Sequence, residues 1–220
     1  MIRKTIAHTQ AATFELIAPR GPGGAATPVG TAFCVSPDGH FLTAAHCLTG
    51  LPDAAPLWMR RVSKVVDAGR RIPVVVDGVR IVARDLDADV ALLQAEGTFL
   101  HLESEPAPIE LGTPIYVFGY PGFTQEPMPR LCSAIVSALA PTSSMDASLC
   151  SMDVALEPGM SGAPVIAVET GRVIGVVRGA PLFTYSKTDS TSGELMHIHI
   201  QHGLFMPLGS VRLPDISALR

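Results

Sequence analysis

No run of about 18 apolar residues occurs in this 220-residue chain, so no segment is long enough to cross a bilayer as a helix. A soluble protein with no membrane partner is expected. Basic residues are not in excess either: 16 Lys and Arg stand against 20 Asp and Glu, for a net charge of −4. Without a basic stripe to neutralise phosphates, nucleic acid is excluded as a partner. Only four cysteines are present, Cys34, Cys47, Cys132 and Cys150, and their spacings match no zinc motif. They read as small buried apolar residues. The first residues lack the unbroken apolar core of a signal peptide, because His8, Thr9, Gln10 and Glu15 interrupt it. A cytoplasmic location is expected on that basis, or a periplasmic or secreted one if a leader was removed. Sustained 3.6-residue periodicity is also missing, so helices should be few and short.

What the chain does have is 47% apolar residues together with 20 Gly and 19 Pro, spread along its length. That distribution suits many short strands and turns. Strands are predicted at 13–17, 30–36, 41–44, 72–76, 79–83 and 90–94, and then at 115–118, 131–139, 149–154, 164–168, 173–177, 195–200 and 204–207. A helical turn is predicted at 45–48 and a short terminal helix at 214–219. The stretches 18–28 and 184–193, rich in Gly and Pro or in Ser and Thr, read as surface loops. Ser36-Pro37-Asp38-Gly39 and Glu169-Thr170-Gly171 read as turns. The polar, proline-containing segment 103–110 divides the strands into two groups. The reading is a single all-β domain over 1–220, with one barrel-like half in 1–108 and a second in 109–220.

Three residues carry the chemical signal. Ser161 lies in Gly159-Met160-Ser161-Gly162-Ala163-Pro164, His46 in Thr43-Ala44-Ala45-His46-Cys47, and Asp89 just before Val90-Ala91-Leu92-Leu93. A serine hydroxyl is a weak nucleophile that needs a base, and the base needs a group to fix its tautomer. The attacked carbonyl needs donors for its oxyanion, which the backbone N–H groups of Gly159 and Ser161 can supply at a sharp turn. A histidine base of this kind is expected to titrate near ~7. Asp85 and Asp87 share strand parity with Asp89, so alternation alone does not choose the acid. His197, His199 and His202 invite a metal reading, but no acidic or cysteine ligand accompanies them at useful spacing. They read as polar positions on an exposed strand, and neither a metal nor a cofactor is expected.

The order His46, Asp89, Ser161 and the motifs around them resemble the trypsin-like serine peptidases of chymotrypsin fold. Bacterial Deg-type proteases are the most similar subgroup. They have counterparts of Gly30-Thr31-Ala32-Phe33-Cys34-Val35-Ser36-Pro37-Asp38-Gly39, of Ser133-Ala134-Ile135-Val136-Ser137-Ala138-Leu139 and of Gly203-Leu204-Phe205-Met206-Pro207. The resemblance spans roughly residues 28–213. It implies two six-stranded antiparallel β-barrels with the active site in the cleft between them, and hydrolysis of protein or peptide substrates through an acyl-enzyme. It places Ala155, six residues before the serine, at the base of the specificity pocket, with Leu156 beside it and Val177, Arg178 and Gly179 on the far wall. Small or medium apolar side chains are then expected there, with Arg178 free to face solvent, close the pocket or attract an acidic group. Two departures stand out: the sequence stops soon after the last predicted strand, where Deg-type proteases usually carry a peptide-binding domain, and Met160 replaces the aspartate that digestive enzymes use to pair with a new N-terminus. Two other functions fit the same sequence, a protease fold that no longer cleaves and serves as an interaction module, and an esterase using the same three residues.

Overall fold

The computed structural model describes residues 2–19, 24–62, 72–105, 108–122, 127–139, 149–179, 182–188 and 195–213. Helix α1 (Ile2–Ala12) leads into β1 (Thr13–Pro19), β2 (Ala26–Cys34), β3 (His40–Ala44), β4 (Leu57–Val62), β5 (Pro73–Asp85) and β6 (Val90–Gln94). These six strands close a barrel in the order β1-β2-β3-β6-β5-β4. A second barrel contains β7 (Pro114–Gly119), β8 (Arg130–Leu139), β9 (Cys150–Met152), β10 (Pro164–Ala167), β11 (Val173–Gly179) and β14 (Gly203–Pro207), in the order β10-β11-β14-β9-β8-β7. The pairs β1–β2 and β10–β11 are antiparallel, as are the other ladders. Strands β12 (Leu182–Thr188) and β13 (Leu195–Gln201) form a separate antiparallel ribbon. The two-barrel, all-β expectation holds.

Alternation along each strand sends one set of side chains into its own barrel, and the other set decides what packs outside. Strand β10 is buried at all four positions and β11 at its first five, because both of their faces are covered. Val165, Val177 and Phe205 fill the second barrel with Ile115, Val117 and Met152. Ile166, Val173, Val176 and Met206 join the cluster built on Phe33, Phe41, Leu42 and Leu93 of the first barrel. Fully burying one such side chain is worth about 1.5–3 kcal/mol, so this shared cluster fixes how the barrels sit against each other. Within the first barrel Phe14, Phe41 and Phe99 meet edge to face, with ring centroids 5.1–6.5 Å apart.

Four elements differ from expectation. Helix α1 is too short to announce itself by period; Thr9 and Thr13 fasten it by donating to the carbonyls of Thr5 and Thr9 at 2.9 and 2.8 Å. Strand β4 is hidden in sequence by Arg60 and Arg61; Leu57 and Met59 point inward, while Arg60 Nε meets the buried Glu15 carboxylate of β1 at 2.5 Å. The separate strands expected at 72–76 and 79–83 are one strand, β5, which Gly78 carries through at a φ of +68°. The loop expected at 184–193 is in part strand β12, and that expected at 18–28 is shortened at both ends by β1 and β2. The terminal helix expected at 214–219 lies outside the described residues. The turns at Gly39 and Gly171 are present, with φ of +88° and +70°. At the start of the segment expected to divide the two halves, Val173 N–H donates to Glu103 O at 2.9 Å and Glu105 N–H to Val173 O at 2.8 Å.

Candidate active site

Strands β3 and β6 run side by side with Ala44 opposite Val90, so the residues just past those ends meet. After β3 the chain turns through a 3₁₀ segment, Ala45–Leu48, which carries His46. Before β6, a turn delivers Asp89 in the left-handed region at a φ of 54°, the one non-glycine residue there among those described. Aspartate tolerates that conformation better than most residues. The backbone locks the two ends together, with Ala45 N–H donating to Asp89 O at 3.0 Å. The Asp89 carboxylate then grips His46 twice: Oδ1 accepts the backbone N–H at 2.8 Å and Oδ2 accepts ring Nδ1–H at 2.7 Å. With Nδ1 as donor, Nε2 is left as the acceptor. The carboxylate is shielded, its side chain 12% exposed, while the imidazole is 45% exposed.

The other two candidate acids do different work. Asp85 Oδ1 accepts Ala88 N–H at 3.0 Å and Oδ2 accepts Arg212 N–H at 2.7 Å, so it shapes the turn and ties down the C-terminal segment. Asp87 is exposed. Of the three aspartates, Asp89 reaches the histidine. Its hydrogen bond is the largest cause raising the His46 pKa well above the ordinary 6.5, the neighbouring Cys47 sulfur adds to it, and burial opposes both. This exceeds the value near ~7 expected from sequence.

Ser161 sits at a turn stitched to both barrels. Met160 N–H donates to Glu157 O at 3.1 Å, Gly162 N–H to Val177 O at 2.8 Å, and Thr31 N–H of β2 to Ser161 O at 2.8 Å. Cys47 Sγ, one residue beyond His46, lies 3.8 Å from Ser161 O, which brings the histidine turn and the serine turn together. Among the described residues Ser161 Oγ makes no hydrogen bond, to His46 or to any other group. Unliganded sites often hold this contact long. Gly162 has a φ of +83°, and a Cβ there would fall 2.2 Å from Thr31 O and 2.4 Å from Thr43 Oγ1. No other residue type fits.

The loop has two unused donors. Among the described residues neither Gly159 N–H nor Ser161 N–H has a partner, whereas those of Met160 and Gly162 are bonded. Pro158 O accepts Gly122 N–H at 3.1 Å. In a trans peptide the N–H points opposite to the C=O, so Gly159 N–H is directed away from Gly122. The Pro158 carbonyl is therefore occupied elsewhere and does not turn into the loop.

The expected pocket residues separate into two groups. Ala155 is exposed and Gly179 partly so, with a Cβ built on Gly179 lying 3.8 Å from Ser161 Oγ. Leu156 and Val177 are 4% and 0% exposed and pack in the second barrel, because strand alternation turns Val177 inward. Alternation turns Arg178 outward, and its Nε lies 3.6 Å from Asp89 Oδ2. The three directions open from sequence, to solvent, across the pocket or toward an acidic substrate group, did not include Asp89. His197 and His199 occupy alternate positions of β13 opposite Ser186 and Thr184, and His202 is exposed. Among the described residues no three His, Cys, Asp or Glu side chains are close enough to hold an ion. Cys34, Cys47 and Cys132 are free thiols. Sequence reasoning missed Thr31 and the partner of Arg178, since both act through contacts between distant segments that no local pattern signals.

Comparison with known proteins agrees with this architecture. The trypsin-like peptidase domain family matches residues 30–176, and the chain belongs to that family. A relative in Sinorhizobium fredii (strain NBRC 101917 / NGR234), the uncharacterized protein y4bJ, is 32% identical over 155 residues. That match covers 70% of this chain and 22% of y4bJ, so the chain spans about a fifth of that relative's length. Among solved structures, the HtrA-type protease AlgW with a tripeptide is similar at 19% identity and a TM-score of 0.63, over 94% of this chain and 60% of that one. The MamO protease domain of Magnetospirillum magneticum is similar at 20% identity and a TM-score of 0.62, over 98% of this chain and 99% of that one. Deg5 is similar at 20% identity and a TM-score of 0.61, over 80% and 83%. The fold is that of these proteases.

Proposed function

We propose that the chain is a serine endopeptidase that cleaves protein or peptide substrates through an acyl-enzyme, with Ser161, His46 and Asp89 as its triad. The observation that carries this reading is the 2.7 Å contact between His46 Nδ1 and Asp89 Oδ2, on a turn whose Cys47 lies against Ser161. Ser161 Oγ attacks the scissile carbonyl as His46 Nε2 takes its proton. Asp89 holds the Nδ1–H tautomer and stabilises the imidazolium that forms. The N–H groups of Gly159 and Ser161 receive the oxyanion, and one such donor is typically worth about 10²–10³ in kcat. His46 then gives its proton to the leaving amine. Water, with its proton taken by His46, attacks the acyl ester, and His46 returns that proton to Ser161 Oγ as the C–O bond breaks and the product acid leaves.

An open Ala155 offers no carboxylate to a basic side chain, so the pocket favours apolar residues. The Gly159 N–H supports an active loop over a silent interaction module, since a collapsed loop would present the Pro158 carbonyl instead. The test is digestion of an unfolded protein such as casein, with and without metal chelator. Wild-type protein should cut it in both conditions and Ser161→Ala should lose nearly all cutting while keeping its melting temperature. Cleavage of simple esters with casein left intact would point to the esterase. Undiminished casein digestion by Ser161→Ala would sink the proposal.

A further inference from the structure

Thr31 of β2 is fully buried, and every polar atom it has is engaged around the serine loop. Its N–H donates to Ser161 O at 2.8 Å and its carbonyl accepts the Thr43 hydroxyl at 2.7 Å. Its own Oγ1 is 2.9 Å from both Tyr120 N and Gly159 O. The direction of that relay is fixed. A backbone N–H can only donate, so the hydroxyl accepts from Tyr120 and has its single proton left for the Gly159 carbonyl.

This matters because of what Gly159 can otherwise do. Glycine crosses φ/ψ space easily, so the peptides on either side of it are free to turn unless something holds them. On the near side, Gly122 N–H holds the Pro158 carbonyl. On the far side, the Gly159–Met160 peptide is held at both ends, by the Thr31 hydroxyl on its carbonyl and by Glu157 O on its N–H at 3.1 Å. Together these contacts leave the Gly159 N–H pointing one way only. The first barrel thereby supplies, through one hydroxyl, the clamp on a loop that belongs to the second.

We propose that Thr31 is a positioning residue for the oxyanion donors: its hydroxyl pins the Gly159 carbonyl and so keeps the Gly159 N–H aimed at the developing charge. This rests on the peptidase reading given above. The clamp touches no substrate, so it should govern the rate of the chemical step and leave binding alone.

The test is the rate of Ser161 phosphonylation by an alkyl fluorophosphonate, which needs no knowledge of the natural substrate and builds charge on oxygen in the same place. Wild type, His46→Ala, Thr31→Val and Thr31→Ser are compared over a range of probe concentrations. In Thr31→Val, an isosteric change without the hydroxyl, the saturating rate should fall about 100-fold, as for loss of one oxyanion donor. The probe concentration giving half that rate should not move, and Thr31→Ser should recover most of the loss. If Thr31→Val does not fold by circular dichroism, Thr31→Ala takes its place with the same expectation. A Val or Ala variant labelled as fast as Thr31→Ser overturns the proposal, and so does a loss that appears mainly in the half-saturating concentration. His46→Ala labelling at the wild-type rate would instead bring down the peptidase reading itself, and this proposal with it.

Discussion

Arg178 Nε lies 3.6 Å from Asp89 Oδ2, the same oxygen that accepts the His46 ring proton at 2.7 Å. One carboxylate oxygen thus serves an imidazole and a guanidinium at once. Asp89 and Cys47 raise the His46 pKa; a cation held on the same carboxylate should oppose them, because it disfavours the imidazolium. The base must be neutral to act. Activity should therefore fall as pH drops, with the midpoint of kcat/KM above the ordinary histidine value of 6.5. In Arg178→Gln that midpoint should move further up, since a positive neighbour has gone. Asp89→Asn should move it down and cost on the order of 10⁴ in kcat through the wrong tautomer. A pH profile of Arg178→Gln shifted down or unchanged would mean the guanidinium has no electrical hold on the site.

Gly162 gives a purely steric prediction. Its positive φ alone would cost a residue with Cβ roughly 1–2 kcal/mol. The Cβ would also press on Thr31 O and Thr43 Oγ1, which are backbone and buried side chain and cannot swing away. Gly162→Ala should lower the melting temperature and abolish proteolysis together. Gly50, where a Cβ would meet nothing within 4 Å, is the matched control at positive φ, and Gly50→Ala should leave proteolysis unchanged.

The strands that could be read from sequence are those whose apolar residues alternate or run between turn residues, such as β6 and β7, both buried nearly throughout. Strand β4 was hidden because Arg60 earns its place by pairing with buried Glu15, a long-range fact. Strand β12 was hidden because its Ser and Thr content matches a loop, and only pairing with β13 makes it a strand. At the site, His46, Asp89 and Ser161 lie in short local motifs and could be named in advance. Parity alone allows Asp85, Asp87 and Asp89; the place of Asp89 just before the apolar run Val90-Ala91-Leu92-Leu93 and its motif single it out, and the turn geometry shows why it is the one that meets His46 while Asp85 caps Ala88. Thr31 and Gly159 are 128 positions apart, and nothing local in either segment announces their contact.

On the proposed reading, substrate preference is set by the residues expected to line the specificity pocket. Ala155 brings no charge, and Arg178, expected on the far wall, is engaged with Asp89. A Lys or Arg side chain entering there would be desolvated without a partner, at a cost of several kcal/mol. A peptide library should therefore return Ala, Val, Leu or Met before the scissile bond. Discrimination among them should be soft, since one methylene is worth only about 1–3 kcal/mol. A profile led by Asp or Glu would mean that Arg178 leaves Asp89 to meet the substrate, and one led by Lys or Arg would place the pocket elsewhere.

The central claim is that Ser161 is a nucleophile activated by His46. It is tested most directly by treating the folded protein with a fluorophosphonate and locating the adduct by mass spectrometry. The account predicts one adduct per chain, on Ser161, lost in Ser161→Ala and nearly lost in His46→Ala, with both variants folded. No adduct on the wild-type protein, or an adduct formed equally well without His46, would contradict it.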